Sequence, residues 1–246
     1  MIANVLFLLL VSGLPYFIFL EKSKLFNSKA IFLLSAFMLL GAIALSFFMK
    51  NEHSEPFVII SFLSAVYSIY RATKTTNFYK LGYYFIFINA PFFLLFEEQG
   101  AFYSLSLLVS LLGIYAIASF YEKHYGSANY LYVRGITLAT PMVGISITVY
   151  LITLGLYPPL PNSLFFLTYI FNAETNALWY LVVITLYFGN FLISMKVLEK
   201  SIFGKINPDI HYVDLDYKDK VTHVTIMAML VVLSFFGVEE ILLWVL

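Results

Sequence analysis

Glu239 and Glu240 are the only acids within the last apolar run of this sequence, and Lys80 and Lys123 stand where apolar runs meet polar connections. Carboxylates and amines at such places are the groups that pass protons or ions through a membrane, because a charge held at depth is costly. Each of the four also has an interfacial explanation. Both glutamates lie within seven residues of Leu246, where water can reach them, and lysines at span ends snorkel to the interface. Arg71 and Lys196 stand at span ends in the same way. The other polar groups inside apolar runs are neutral: Asn89, Asn190, Ser104, Ser106, Ser110, Thr148 and Thr153. They join helices by hydrogen bonds or order water, but they do not store a charge. His53, His124, His211 and His223 fall in connections, and no two have the spacing of a helical metal site, so they read as solvated. Asp209, Asp214, Asp216 and Asp219 in INPDIHYVDLDYKDKV lack the turn glycine and terminal glutamate of a calcium loop. The chain has no Cys, which excludes disulfides, thiolate-bound zinc and cysteine-ligated clusters. No phosphate-binding, nucleophile-elbow or dinucleotide motif is present. These residues therefore predict no catalytic, cofactor or metal site.

The elements that carry these groups are membrane helices. The chain is 61% hydrophobic and 11% charged, with a mean hydropathy of +0.89, the composition of a polytopic membrane protein. Its net charge of zero offers no surface for nucleic acid. Phe 26 and Tyr 19, with abundant Ile, Asn and Lys, suit an A/T-rich genome such as an organelle's. The apolar runs are Ile2–Leu20, Ala30–Met49, Phe57–Ala72, Leu81–Phe96, Ala101–Tyr121, Gly135–Phe171, Ala177–Val197 and Val224–Leu246. The first has no basic residue before it and reads as a retained membrane helix rather than a signal peptide. Phe57–Ala72 and Leu81–Phe96 are short, and Tyr67, Tyr70, Tyr83 and Tyr84 are expected to lengthen them by sitting in the interface. The expected fold is all-α, one membrane domain over 1–246 with about eight transmembrane helices.

Gly135–Phe171 is too long for one straight crossing: 37 residues of helix measure roughly 55 Å against a hydrocarbon core of about 30 Å. Pro158, Pro159 and Pro161 remove three backbone donors, and Tyr157 and Leu160, each preceding a proline, are pushed from helical angles. The element is either one helix broken at Pro158–Pro161 or two helices joined by a surface turn. Charge separates the two. With a single crossing, thirteen of the fourteen basic residues, from Lys22 to Lys220, share one face, and only Lys50 lies opposite. With two crossings the split is eight against six. The positive-inside rule favours one broken helix, with both termini on the outer face beside Glu52, Glu55, Glu97, Glu98, Glu174, Glu239 and Glu240. The break is expected to face neighbouring helices or a polar cavity.

Over about residues 35–240 these features resemble the antiporter-like membrane subunits of respiratory complex I, most closely the C-terminal part of NADH dehydrogenase subunit 4 and less closely subunits 2 and 5. The stretch FYEKHYG, with Tyr121, Glu122, Lys123 and His124, is similar to the family's Tyr-Asp-Arg-His tetrad. Thr140-Pro141 is similar to its Met-Pro helix start, and the run ending at Asn162 to its Pro-x-x-x-Asn-Phe broken centre. Downstream, Phe203-Gly204 matches a Phe-Gly-Asn turn and Asp214–Lys218 an Asp-Leu-x-x-Arg-Glu segment; upstream, Lys80 and Tyr84 are retained from the Asp-Leu-Lys-Arg-x-x-Ala-Tyr motif.

The resemblance implies a subunit of a proton-translocating NADH:ubiquinone oxidoreductase, in the inner mitochondrial membrane or a bacterial plasma membrane, with no cofactor of its own and the electron carriers on other subunits. It implies other membrane-arm subunits as partners, anionic lipid such as cardiolipin at the basic face, and an N-terminal half that is a separate polypeptide or lost. The helix Ile2–Leu20 stands outside the match. The departures concern the pump. The lysine of the family's first broken helix falls at Leu39, two histidines fall at Asn89 and Ser106, and the glutamate of its second broken helix falls at Phe166. None of the four titrates in water's range, so the expected role is structural. An independent secondary transporter with substrate at Pro158–Asn162, or a membrane scaffold, is the alternative.

Overall fold

A computed structural model describes residues 2–23, 25–49, 54–96, 99–135, 139–172, 177–203, 206 and 210–245. The described residues form ten α-helices: α1 Ile2–Leu10, α2 Phe17–Ser23, α3 Ser28–Ser46, α4 Glu55–Lys74, α5 Phe78–Leu95, α6 Gly100–Tyr125, α7 Pro141–Leu154, α8 Pro161–Asn172, α9 Ala177–Ser201 and α10 Tyr217–Val245. The only β pairing among them is a single bridge between Asn77 and Asn129. Six helices, α3, α4, α5, α6, α9 and α10, are long and apolar enough to cross a membrane, and α7 is a shorter apolar helix. The chain is a multi-pass membrane protein with an all-helical fold.

α5 is the axis of the bundle. Of its residues only Lys80 escapes burial, as expected of a helix that is apolar all round and surrounded by others. Asn77 starts it by accepting from the N–H groups of Tyr79 and Lys80 at 2.9 and 3.2 Å. Tyr83 and Tyr84 are fully buried on α5, not interfacial as the sequence predicts, because α2 and α4 cover that end. Tyr70, at 59% exposure on α4, does lie at the surface.

Two elements are interrupted, and they are built alike. α1 closes with the Gly13 N–H on the Leu8 carbonyl (2.8 Å) and the Ser12 N–H on that of Leu9 (3.2 Å), with Ser12 at φ 65°. α7 closes with the Tyr157 N–H on Ile152 (3.2 Å) and the Leu156 N–H on Thr153 (3.2 Å), with Leu156 at φ 59°. This paired bonding ends a helix on a left-handed residue, usually glycine, with proline soon after. Ser12 and Leu156 take that conformation at roughly 1–2 kcal/mol each. Pro15 follows the first turn. Pro158, Pro159 and Pro161 follow the second, with a cis Pro158–Pro159 bond. The single helix expected over Ile2–Leu20 is therefore two short ones, because the left-handed residue Ser12 ends the helical hydrogen bonding and Pro15 brings no N–H to resume it.

Both interrupted elements continue in one direction past the break. Phe7 meets Phe93 of α5 (ring centroids 5.7 Å apart), Tyr16 meets Phe87 (4.8 Å), and Glu21 reaches Tyr83 and Tyr84, so α1 and α2 together descend α5. Likewise Tyr150 of α7 lies against Gly113 of α6, Asn162 bonds Ser106, and Tyr169 of α8 packs on Phe96 (5.2 Å). The two halves traverse the bundle as one element, against the alternative of a surface hairpin.

Gly113 sets the closeness of α6 and α7. A Cβ there would stand 2.5 Å from ring carbons of fully buried Tyr150, whose hydroxyl bonds His223 Nδ1 at 2.8 Å. Gly113→Ala is expected to cost about 1–2 kcal/mol, read as a lower thermal midpoint in detergent. Gly41→Ala, with nothing within 4 Å, is expected to leave the midpoint unchanged or raise it. Equal midpoints for the two variants would refute this account of the contact.

Candidate functional site

The charged groups of the bundle gather at the end where α2 and α4 finish and α5 begins. Glu21, with its side chain 14% exposed, accepts from Arg71 Nη2 at 2.6 Å, from Tyr84 Oη at 2.9 Å and from Tyr83 Oη, with Lys80 Nζ at 3.8 Å. Four donors on two helices thus converge on one carboxylate from a third. Beside it, Glu122 of α6 accepts from Lys29 at 3.2 Å and from Tyr79 at 2.8 Å. These bonds pin α2 to α4 and α5, and α3 to α6. Desolvating the Glu21 carboxylate is repaid because donors surround it, whereas Glu122, with its side chain 48% exposed, keeps much of its hydration.

Deeper in the bundle the polar groups are neutral. Asn89 and Asn190 exchange amide bonds at 3.1 and 2.9 Å, Tyr103 Oη donates to Asn89 Oδ1 at 2.6 Å, and Asn89 Nδ2 also reaches the Phe85 carbonyl at 2.8 Å. One turn along α6 from Tyr103, Ser106 Oγ donates to Asn162 Oδ1 at the start of α8. Asn162 is fully buried, and its Nδ2 has no partner among the described residues. The sequence leaves open whether Asn89 and Ser106 meet; they do not bond, but Tyr103 connects their surroundings. The chain from Asn190 through Asn89 and Tyr103 to Ser106 and Asn162 links four helices. It can order water, and it holds no group that changes charge near neutrality.

The positions where the resemblance puts pump residues are occupied by packing. Leu39 lies buried on α3, which is continuous and not a broken helix. Phe166 is wedged between Phe92 (5.1 Å) and Tyr187 (5.8 Å). Lys80 serves Glu21, and Lys123 lies 4.0 Å from Asp216 with both side chains more than half exposed. Asp216 caps α10 by accepting from the Asp219 N–H at 2.8 Å, and that bond, ahead of Lys123, holds its carboxyl below the usual carboxylate range. Glu239 is exposed on α10. Half-buried Glu240 approaches the Tyr169 hydroxyl, without a hydrogen bond of regular geometry.

His223 is not the solvated loop residue that the sequence predicts: α10 starts six residues before it, and the ring is buried against Tyr150. The expectation that the break faces inward holds for Gly155, Leu156 and Asn162, whereas Tyr157, Pro158 and Pro159 are exposed. Lys24, Lys50, Glu52, His53, Glu97, Glu98, Glu174, Gly204, Lys205 and Asp209 lie outside the described residues.

Glu21 is the centre of the charged cluster that sequence reasoning misses. The available signal was a lone carboxylate at the end of the first apolar run, on the face that collects thirteen bases. Among the described residues no cluster of His, Asp or Glu has the form of a metal site. No protein-family model matches the chain, and no curated protein matches its sequence.

Proposed function

We propose that the chain is an antiporter-like subunit of the membrane arm of respiratory complex I in which the pumping residues of that family are replaced, and that its work is structural. The observation that carries this reading is the pair of matching breaks. Two interrupted crossings enclose four continuous helices, and the resembled family also has two broken helices. Counting α1–α2 and α7–α8 as one crossing each gives eight crossings, with both termini on the outer side and the Glu21 cluster at the inner face. In this reading the break at Ser12–Tyr16, which the resemblance leaves outside the match, takes the place that the sequence gives to Leu39. There Ser12 Oγ and Tyr16 Oη are 2.7 Å apart and Tyr16 Oη donates to Ser35 at 3.3 Å, so this centre too is uncharged.

The membrane in this reading is the inner mitochondrial or a bacterial plasma membrane, and the partners are other membrane-arm subunits and anionic lipid such as cardiolipin. Lys196, which donates to the Thr73 carbonyl, stands in the field of Lys74 and Lys200. None of the three has a carboxylate partner among the described residues, and each well-placed lysine adds about 1 kcal/mol toward anionic headgroups.

Purification of the tagged chain in mild detergent is expected to bring down a large assembly that oxidises NADH with quinone. Recovery of the chain alone would overturn the reading. In the intact assembly, Glu239→Gln and Glu240→Gln are expected to leave the proton-to-electron ratio unchanged; a lowered ratio would place a relay at these glutamates. The Asn162 Nδ2, without a partner among the described residues, favours one second reading, an independent transporter with substrate at the break, for which the purified chain would move solute in liposomes.

A further inference from the structure

We infer that the face made by α7, the Tyr157–Leu160 turn and α9 seats a transmembrane helix of a different polypeptide, apolar along the contact and carrying a hydrogen-bond donor level with the turn. The inference rests on the chain being embedded in a membrane, and it deepens the reading above, in which that helix belongs to a neighbouring subunit.

Gly155 lies against Ser194, seven residues or about 10 Å from the end of α9, and Asn162 bonds Ser106, about 9 Å from the start of α6. In an embedded chain the Tyr157–Leu160 turn, between these levels, falls within the hydrocarbon region. Its donors are spent: the Tyr157 N–H bonds Ile152, the Leu160 N–H bonds the Tyr157 carbonyl, and Pro158 and Pro159 have none. Its acceptors are not. The Pro158 and Pro159 carbonyls receive no bond from the described residues, and both residues are exposed. Lipid tails offer no donor, and irregular backbone does not face them within the hydrocarbon region. An interior turn would have settled this internally, but here the turn points outward.

The surface beside the turn has the shape for such an occupant. A cleft of about 670 Å³ runs between α7 and α9, lined by Thr148, Ile152 and Tyr157 on one side and largely by apolar residues such as Phe191, Met195 and Leu198 on the other, with Glu199 the one charged residue in the lining. A lipid chain would fill the cleft but leave the carbonyls bare. A helix bearing Ser, Thr, Asn or a similar side chain does both, because a polar donor in an apolar helix is what joins helices in this solvent.

The absence of cysteine makes the test direct, since Tyr157→Cys, Phe191→Cys and Met195→Cys each introduce one thiol. These full-length variants are labelled with a photoreactive maleimide in native membranes and the products mapped. All three are expected to capture the same stretch of one other polypeptide, at residues three or four apart as on one helix face. Phe37→Cys, 73% exposed on α3, is expected to capture lipid. Adding Met195→Trp to the Tyr157→Cys variant should abolish the product while the thermal midpoint of the purified chain stays unchanged. Capture of lipid alone, capture of a second copy of this chain, or a product that survives Met195→Trp overturns the inference. A captured helix from a protein outside any NADH-oxidising assembly would leave it standing and overturn the complex I reading. An NADH-oxidising assembly in which the three thiols meet only lipid would do the opposite.

Discussion

Glu21→Ala is expected to destabilise the bundle by about 3 kcal/mol, the largest effect of any single substitution outside the apolar core. The carboxylate receives Arg71, Lys80, Tyr83 and Tyr84, and no other acid among the described residues stands near enough to replace it. Its loss strands a guanidinium, an ammonium and two hydroxyls at once. The estimate lies at the lower end for a broken buried pair because Arg71 and Lys80 keep about a third of their side-chain surface and recover some hydration. Glu21→Gln keeps an acceptor for the tyrosines and is expected to cost less. Unfolding of the purified chain in mixed detergent measures both. A double-mutant cycle with Arg71→Ala isolates the pair and is expected to show coupling above about 1 kcal/mol. A Glu21→Ala cost within about 0.5 kcal/mol of zero would mean the cluster is an ordinary surface ion pair.

Asn89→Leu should cost about 2–3 kcal/mol and show first as failure to reach a stable assembly. Interhelical hydrogen bonds in membranes average only about 0.6 kcal/mol, but Asn89 makes three of them, to Asn190 twice and to Tyr103. Leucine would leave the Asn190 amide and the Tyr103 hydroxyl buried without partners, and that desolvation exceeds the lost bonds. Asn162→Leu removes one bond, from Ser106, and an amide nitrogen that is already unpartnered, so its expected cost is near 1 kcal/mol. The order is the test. If Asn162→Leu proves the more damaging in detergent unfolding, the break rather than the Asn89–Asn190 pair holds the centre together.

Membrane class, the all-helical fold and the stop at Pro158 were legible in the sequence because each depends on covalent or compositional facts. Proline lacks an N–H wherever it stands, and runs such as Leu81–Phe96 cannot be solvated. The same logic identified Asn89, Asn190 and Ser106 as part of the polar interior, since an amide or hydroxyl in an apolar run must find a partner. The break at Ser12–Tyr16 was not legible. A serine in the left-handed conformation carries no local signature, and one proline within an apolar run is as compatible with a kinked helix as with a stop. Glu21 escaped because its partners are 50 to 63 residues away, so its burial depends on which helices the bundle lays beside it. Tyr83, Tyr84 and His223 were misplaced for the same reason: a residue's distance from a span end follows from the chain, but whether another helix covers that end does not. Local sterics and hydrophobicity act within a turn or a run and are written in the sequence. Charge pairing, the exposure of Pro158 and Pro159 and the outward cleft come from the packing of distant helices, which only the tertiary structure decides.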